Sequence, residues 1–382
     1  MNWKQAGDKV LYQLDESGYE SYIVGGAVRD NCIGKKVDDI DITTNASINE
    51  IQSIFPRTIE VGIQHGTVLV PVHGLPVQVS TFKGASIEED LSQRDFTINA
   101  MAQNRNGDVI DPFFGQLDLK NQVIRTIGGT NKPFIQDPLR LLRAIRFALQ
   151  LQFTIEPTTQ VYINEMSEHI KEPAKERVAA ELEKISKCRL DGEKWKWLFS
   201  QEVIKHLPYL FPSKMVKKSL EMQELDVSIS DEIMWWTFAL YDRESNNVKQ
   251  ALNKYKRSNK LTKDVMEIQR KVTNFTLDSW TLLDLYDLGK HRLSIALKLV
   301  KLLNESDIDE GIWLDTYEQL PIKQKKDLDL SGKDILEKYP DLSGWRVGDV
   351  IQKVEQAVIY GLVKNEKSSI FNWLEREYKN ER

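Results

Sequence analysis

The sequence predicts an α+β protein, with a small mixed β-sheet near the N-terminus and helices from there to the C-terminus. Short segments with strand character cluster between residues 21 and 82. From about residue 134 onward, apolar residues instead recur at helical spacing. The chain has 382 residues, of which 41% are hydrophobic and 29% charged, so it can form several compact units with cores of their own.

The N-terminal region alternates helical and strand patterns. Residues 3 to 18 have the apolar spacing of a helix that ends at Gly18, and residues 46–55 have that of a second helix. Strands are predicted at 21–24, 39–43, 58–61, 67–72 and 76–82. His73-Gly74 predicts a hairpin between the last two strands. We expect a small sheet that carries Asp39 and Asp41 near its edge.

The C-terminal two thirds are predicted to be entirely helical. Further helices are expected at 195–199, 232–240, 282–288, 293–303 and 347–363. Breaks are expected at Pro208–Pro212, Ser245–Asn247 and Pro321. Most of the nine tryptophans follow residue 190, and we interpret them as packing anchors between helices rather than as platforms for bases.

The stretch from Ile23 to Thr44 combines features suited to phosphate and metal binding. Gly25-Gly26 follows an apolar run, and side-chain-free backbone N–H groups can approach phosphate oxygens closely. Arg29 offers a planar donor for phosphate. Asp39 and Asp41 alternate, so they should project from one face of a strand and share a hard cation, for which Mg²⁺ fits best. Either pattern alone is typical of a turn or a surface; together they indicate a nucleotidyl-transfer site.

These residues also resemble a known family. GGAVRD followed by G-x-x-x-x-D-x-D resembles motif A of the class II tRNA nucleotidyltransferase and bacterial poly(A) polymerase superfamily. Further stretches resemble that family's later motifs in the same order; they are QRDFTINAMA (93–102), DPFFGQLDL (111–119), IRTIGG (124–129), QDPLRLLRAIRF (136–147) and KERVAAELEKI (175–185). The clear likeness spans roughly residues 20 to 190, and weaker likeness at 330–335 and 360–374 points to the bacillus type.

The resemblance implies a domain plan and a chemistry. It implies a palm-like nucleotidyltransferase head (1–128), a neck that recognises the base (129–205), a helical body (206–290) and a helical tail that binds tRNA (291–382). The implied reaction adds nucleotides to the 3′ end of tRNA without a nucleic-acid template. Asp39 and Asp41 would hold Mg²⁺ ions, one activating the tRNA 3′-hydroxyl and the other neutralising the leaving pyrophosphate. A third metal ligand cannot be assigned from the sequence.

A second candidate set lies in the stretch 136–147. Asp137, Arg140, Arg143 and Arg146 are three residues apart on a predicted helix and so follow one slowly drifting face. Such a run is commonly a solvated charged face, but one acid with three arginines and no lysine also suits base and phosphate recognition. The resemblance implies that Asp137 and Arg140 select cytosine, while Arg143, Arg146 and Arg94 face the triphosphate or primer. Gln136 stands where the family usually has Glu.

The connection from Phe82 to Arg94 is short. Only eleven residues, KGASIEEDLSQ, intervene, where CCA-adding and A-adding family members carry a flexible loop rich in charge and aromatics. Because that loop reshapes the base pocket from cytosine to adenine in the family, its absence predicts a CC-adding enzyme that uses CTP alone. Two alternatives stay open, a full CCA-adding enzyme that uses CTP and ATP, in which the deletion is neutral, and a poly(A) polymerase.

Charge and cysteine content indicate which partners and which cellular compartment to expect. The net charge is −5, which argues against a uniformly basic nucleic-acid binder, yet residues 134–220 carry 15 Lys/Arg against 11 Asp/Glu, where tRNA phosphates would be contacted. Cys32 and Cys188 have no metal-ligand spacing and indicate a reducing compartment. No signal peptide or membrane span is predicted, so we expect a cytoplasmic protein without a membrane partner. A homodimer stays open.

Overall fold

The computed structural model describes residues 2–62, 66–212, 229, 231–241, 243–273, 275, 280–304, 308–340 and 344–380. The chain divides into two compact units. The first comprises residues 1–190 with 196–208, and the second comprises residues 191–195 with 209–382. An α+β head followed by helices confirms the predicted fold class. No helix in the described part of the chain is long and apolar enough to cross a bilayer.

The first unit is built on a seven-stranded mixed sheet. Its strands are β1 (Ser21–Val24), β2 (Ile40–Thr44), β3 (Ile59–Gly62), β4 (Thr67–Val72), β5 (Leu75–Thr81), β6 (Ala102–Gln103) and β7 (Val109–Ile110). They lie in the order β3-β4-β5-β2-β1-β6-β7. Strand β2 is therefore central, and the expectation that the two aspartates lie near the edge of the sheet was wrong. Strand order depends on pairing between distant segments, which local patterns do not encode.

The strand register explains why distant parts of the predicted motif meet. β1 and β2 are antiparallel and place Val24, the last residue of β1, opposite Asp41. β2 and β5 are parallel and place Gln78 beside Asp41. The turn between β4 and β5 is the predicted one, because His73 and Gly74 both have positive φ, 48° and 85°, as a type I′ hairpin requires.

Helices precede, interrupt and follow these strands along the chain. They are α1 (Trp3–Glu16), α2 (Gly26–Cys32), α3 (Ile48–Ile54), α4 (Ile87–Ser92), α5 (Gly115–Asn121), α6 (Lys132–Gln136), α7 (Arg140–Leu151), α8 (Pro157–Glu165), α9 (Lys175–Ser186), α10 (Gly192–Ser200) and α11 (Glu202–Lys205). All belong to the first unit except the start of α10, which belongs to the second. Helix α1 shows how the local sequence starts a helix and buries one of its faces. Asn2 and Gln5 form a capping box at its start, and Val10, Leu11 and Leu14 bury its apolar face.

One short strand pair departs from the prediction that all residues after about 134 are helical. β8 (Val123–Ile124) pairs in parallel with β9 (Thr154–Ile155), directly after α7. Gln152 ends α7 in the left-handed conformation and turns the chain back. Two residues are too short for a strand period to be seen in the sequence.

The second unit is helical wherever the structure describes it. Its helices are α12 (Glu232–Ala239), α13 (Ser245–Lys254), α14 (Asn259–Thr273), α15 (Leu282–Asn304), α16 (Glu310–Glu318), α17 (Gly332–Lys338), α18 (Gly344–Ile359) and α19 (Lys367–Asn380). Ser245–Asn247 opens α13, so the predicted break at these residues was wrong. Gly289, with φ of 67°, interrupts α15 between the two helices predicted there.

Tryptophans in the second unit act as the predicted anchors. Trp235 and Trp236 are fully buried, and Trp195 stacks on Trp235 with ring centroids 6.4 Å apart. Trp236 packs on the buried Tyr255 at 5.4 Å. Burial of this kind contributes apolar area and offers no free face for a base.

Candidate active site

A cavity of about 960 Å³ in the first unit brings together every site residue predicted from the sequence. The predicted residues that line it are Gly25, Gly26, Arg29, Asp39, Asp41, Arg94, Asp137, Arg140, Arg143 and Arg146. Strand β2 and the residue before it supply the carboxylates, the β1–α2 turn supplies the glycines, and α7 supplies Arg140, Arg143 and Arg146. Three separate stretches of sequence thus form one site, which has an acidic end at β2 and an arginine-rich end at α7.

The acidic end is formed by Asp39 and Asp41. Asp41 belongs to β2, whereas Asp39 precedes the strand by one residue and is exposed. Burial raises the pKa of the Asp41 carboxyl; the charge of Arg94 lowers it, and that of Asp39 raises it further. Within the described residues no group of three or more His, Cys, Asp or Glu could hold a metal, so the two aspartates stand without a third such ligand.

This electrostatic imbalance fits a bound cation. Two neighbouring carboxylates, one of them partly desolvated, face only one nearby guanidinium, and a divalent cation would favour their ionised forms. Oxygen ligands of this kind suit Mg²⁺. The donor set therefore agrees with the metal that the sequence predicts.

The glycine turn is shaped by Gly25. Its φ of 67° and ψ of −127° are accessible to glycine, and a Cβ there would lie 3.0 Å from Nη1 of Arg94. Its backbone N–H donates to the carbonyl of Met101 at 3.3 Å, so this N–H has a partner within the chain. The role of Gly25 is to turn the chain, while Gly26 begins α2, whose N-terminus has no side-chain cap.

Arg94 is held beside this turn by Asp90. Its Nη2 lies 2.9 Å from the Asp90 carboxylate, and the same Asp90 accepts the backbone N–H of Lys83 at 2.9 Å. Asp90 is buried on helix α4. It therefore fixes both the start of the short connection after β5 and the arginine at its end.

Asp137 takes a different position from the one predicted. It lies before α7 in an extended conformation, not on the helix. Its Oδ1 accepts the backbone N–H of Leu139 at 3.1 Å, and its Oδ2 accepts from Nη2 of Arg177 at 2.6 Å. The Asp137 carboxylate is therefore already paired with the arginine from α9.

Arg140 is locked by main-chain carbonyls. Its Nη2 donates to the carbonyl of Gln93 at 2.7 Å, and its Nη1 lies 3.2 Å and 3.3 Å from the carbonyls of Arg94 and Pro133. Nη1 also donates to Oε1 of Gln136 at 3.1 Å. Burial lowers the pKa of Arg140, which nonetheless stays charged. Gln136 thus fixes a neighbouring arginine without a charge of its own.

Arg143 and Arg146 are each paired with a buried carboxylate. Nη2 of Arg143 lies 2.6 Å from Asp95, and Nε of Arg146 lies 2.6 Å from Glu181 on α9. Burial acts to raise the pKa of Asp95, but the charge of Arg143 and hydrogen bonds from Arg143 and Asn99 outweigh it, so the pKa falls to about 2. Burial likewise acts to raise the pKa of Glu181, and the Arg146 charge reverses that effect.

Arg29 joins the same network from α2. Its Nε and Nη2 donate to Asp30 at 2.8 and 2.9 Å, and its Nη1 donates to Asn99 at 2.7 Å. Asn99 in turn donates to Asp95 at 2.9 Å. A chain of hydrogen bonds therefore runs from Arg29 through Asn99 and Asp95 to Arg143. The predicted arginines line the cavity. All of them but Arg140 are already paired with carboxylates, and Arg140 is held by carbonyl groups.

Sequence reasoning missed these partner residues. Asp95 follows Arg94 directly, and Arg177 and Glu181 are four residues apart on one face of α9, a spacing that indicates a shared neighbour. In the sequence, Glu181 stands among the apolar positions of an amphipathic helix, which could have indicated that its carboxylate is buried and paired; the structure shows it buried. Phe147, which packs under the arginines, was taken only as part of a motif.

Known proteins resemble this chain along nearly its whole length. The Poly A polymerase head domain matches residues 21–125, the probable RNA- and SrmB-binding site of polymerase A matches 152–195, and the putative tRNA nucleotidyltransferase domain 2 matches 227–374. A CCA-adding enzyme of Bacillus cereus (strain AH820) is 33% identical over 384 residues, which cover 96% of each chain.

Solved structures show the same likeness in three dimensions. The Bacillus stearothermophilus CCA-adding enzyme in complex with CTP matches with a TM-score of 0.85 and 31% identity, covering 100% of this chain and 99% of that one. A CCA-adding enzyme in complex with ATP matches with a TM-score of 0.73 and 25% identity over 97% and 95% of the two chains. The fold is that of a nucleotidyltransferase. The chain belongs to the class II tRNA nucleotidyltransferase family.

Proposed function

We propose that this protein adds nucleotides to the 3′ end of tRNA, transferring CMP and AMP from CTP and ATP and releasing pyrophosphate. The observation that carries the proposal is the meeting of Asp39 and Asp41 with the glycine turn and the arginines of α7 in one cavity. The likeness to enzymes named CCA-adding over 96% of both chains supports the complete CCA sequence over a shorter product.

Asp39 and Asp41 would hold Mg²⁺, which when bound stabilises negative charge on the reacting phosphate and lowers the pKa of the attacking 3′-hydroxyl. The central position of β2 holds Asp41 on a rigid element, directly after Asp39 and Ile40. Asp90 keeps the Arg94 guanidinium beside the Gly25 turn, where the triphosphate would lie. Positioning and charge stabilisation of this kind supply most of the catalysis in phosphoryl transfer.

Asp137 and Arg140 are the proposed readers of the base. The carbonyls of Gln93 and Arg94 hold the Arg140 guanidinium in one orientation, so the donors that it still has free are fixed in direction. A fixed donor set discriminates between bases because a mismatched base leaves a partly buried polar group without a partner. The ion pair of Asp137 with Arg177 would have to open, or be shared, for Asp137 to contact a base.

One observation favours a second candidate, a CC-adding enzyme that uses CTP alone. The connection after β5 consists of a turn and the six-residue α4. Two hydrogen bonds join its parts, because Asp90 accepts the backbone N–H of Lys83 and Glu89 accepts that of Ala85. Residues 83–93 contain one lysine, three acids and no aromatic residue. No element of the basic and aromatic kind stands there that could reshape the base pocket for adenine.

A single assay separates these functions. A tRNA that lacks its three terminal nucleotides is incubated with CTP, with ATP or with both, and the products are resolved at single-nucleotide resolution. Three added nucleotides ending in A with both substrates support the proposal, and two cytidines without adenosine select the CC-adding candidate. A long adenosine ladder would identify a poly(A) polymerase, and no extension would refute nucleotide addition. The variant Asp41→Asn serves as the inactive control.

A further inference from the structure

One aromatic ring contacts three guanidinium groups of the cavity. The Cζ atoms of Arg146, Arg29 and Arg143 lie 4.1, 5.0 and 5.4 Å from the ring centroid of Phe147. Cations at these distances are attracted by the negative faces of an aromatic ring. A ring has only two faces, so three cations around it lie close together. Their mutual repulsion has to be offset by nearby negative charge.

The compensation comes from carboxylates placed around the ring. Arg29 pairs with Asp30, and Arg143 and Arg146 pair with Asp95 and Glu181. Each arginine therefore contacts both a carboxylate and the face of the ring. A guanidinium bound in this way loses little further freedom when a phosphate arrives.

The ring itself is held rigidly. Phe147 is 4% exposed on α7, and Phe96 meets it edge to face at 5.9 Å with an interplanar angle of 84°. Arg143 and Phe147 are four residues apart on the same helix, whereas Arg29 comes from α2 in the head. The ring on α7 thus contacts arginines from two helices, α2 and α7.

We propose that Phe147 is a positioning residue for nucleotide addition, which sets the orientation of Arg29, Arg143 and Arg146 through cation–π contacts. The inference rests on the proposed function, since these arginines matter for the reaction only if a nucleotide occupies the cavity. Phe147 itself does not touch the reacting atoms. It acts through the three guanidinium groups, and its electronic character matters beyond its volume.

Site-specific fluorination of Phe147 tests this without changing the shape of the side chain. Phenylalanine with one, two or three ring fluorines weakens the face of the ring stepwise while preserving packing. With CTP and a truncated tRNA, we expect kcat/KM to fall with each fluorine, reaching roughly tenfold for the trifluorinated ring. The same series at Phe134, a fully buried ring that also meets Phe96 edge to face, at 6.5 Å, should leave kcat/KM unchanged.

The outcomes separate the inference from the proposed function. A flat series at Phe147, or equal losses at Phe147 and Phe134, would overturn the positioning role. Failure of the unmodified protein to extend any tRNA would instead refute nucleotide addition. Arginine Nε–Hε signals in NMR spectra give a readout independent of activity, because weakening the ring should broaden or shift the signals of the three arginines. Unaltered signals in the trifluorinated protein would also count against the inference.

Discussion

The two ends of the cavity differ in how their charges are balanced. At the acidic end, burial raises the pKa of Asp41, the charge of Asp39 raises it further, and the charge of Arg94 lowers it. At the arginine end, Asp95 and Glu181 lie against Arg143 and Arg146, and the pKa of each of these carboxyls is lowered. The carboxylates at the acidic end therefore lack full charge compensation within the described part of the protein, whereas those at the arginine end have it.

This contrast teaches which residues the fold needs and which the reaction needs. A residue whose charge is uncompensated contributes little to stability and gains its partner with the ligand. A buried charge with a fixed partner is costly to leave alone, since the remaining partner then lacks compensation. Substitutions at the two ends should therefore separate activity from stability.

The largest effect is expected from Asp41→Asn. Loss of one metal-binding carboxylate should lower nucleotide incorporation by at least about a thousandfold, equivalent to roughly 4 kcal/mol of transition-state stabilisation. The melting temperature should stay constant or rise, because the variant removes a partly desolvated charge. Radiolabelled CTP incorporation and thermal unfolding measure the two quantities. Glu16→Gln, at an exposed carboxylate at the end of α1 outside the cavity, is the control with near-normal values. A marked loss of stability in Asp41→Asn would break the contrast.

The next effect is expected from Asp95→Asn at the other end. Removing the carboxylate leaves Arg143 without its closest partner, so the free energy of unfolding should fall by about 3 kcal/mol. Urea denaturation measures this change. Glu176→Gln, at an exposed position on α9, should change stability by no more than about 0.5 kcal/mol. Equal stabilities of the Asp95→Asn variant and the unmodified protein would remove the distinction between the two ends.

Acid denaturation sharpens the same comparison. The pKa of Asp95 is lowered from 3.8 to about 2 in the folded protein. Its ionisation therefore stabilises the fold fully above pH 4, and that contribution, about 2 kcal/mol, is lost as the pH falls towards 2. Between pH 4 and pH 2 the unmodified protein should lose more stability than Asp95→Asn. Parallel curves for the two proteins, measured by circular dichroism, would contradict the pairing with Arg143.

Arg140→Ala should have a moderate effect, on selectivity rather than stability. Without the guanidinium locked to the carbonyls of Gln93 and Arg94, the ratio of kcat/KM for CTP over UTP should fall roughly tenfold. Affinity for tRNA, measured by filter binding, should change less than that ratio. Arg105→Ala, whose guanidinium stacks on Tyr12 outside the cavity, should keep the ratio. An unchanged ratio in Arg140→Ala would exclude it as a base reader.

The smallest effect is expected from Gln136→Glu, which introduces the residue that the family usually carries. Oε1 of Gln136 already accepts from Arg140, and the backbone carbonyls hold the same guanidinium, so kcat/KM should change less than about threefold. Gln150→Glu is a matched variant, since Gln150 accepts from Arg146 in the same geometry at 2.8 Å. A tenfold change in Gln136→Glu alone would show that the carbonyl lock is weaker than its distances indicate.

The sequence by itself determined the fold class, the start of the sheet and the members of the cavity. Local rules sufficed there, because the helical spacing of residues 3–18, the His73-Gly74 turn and the alternation of Asp39 and Asp41 depend on neighbours in the chain. The family likeness of the motifs added the nucleotide chemistry.

The tertiary structure alone decided which charges meet. It placed β2 at the centre of the sheet and paired Asp137 with Arg177. It also paired Arg143 with Asp95 and Arg146 with Glu181. These partners are 35 to 48 residues apart in the chain. Their pairing depends on how α7 packs against α9 and against the segment that carries Asp95. No local period or propensity records which side chains this packing will bring within hydrogen-bond distance.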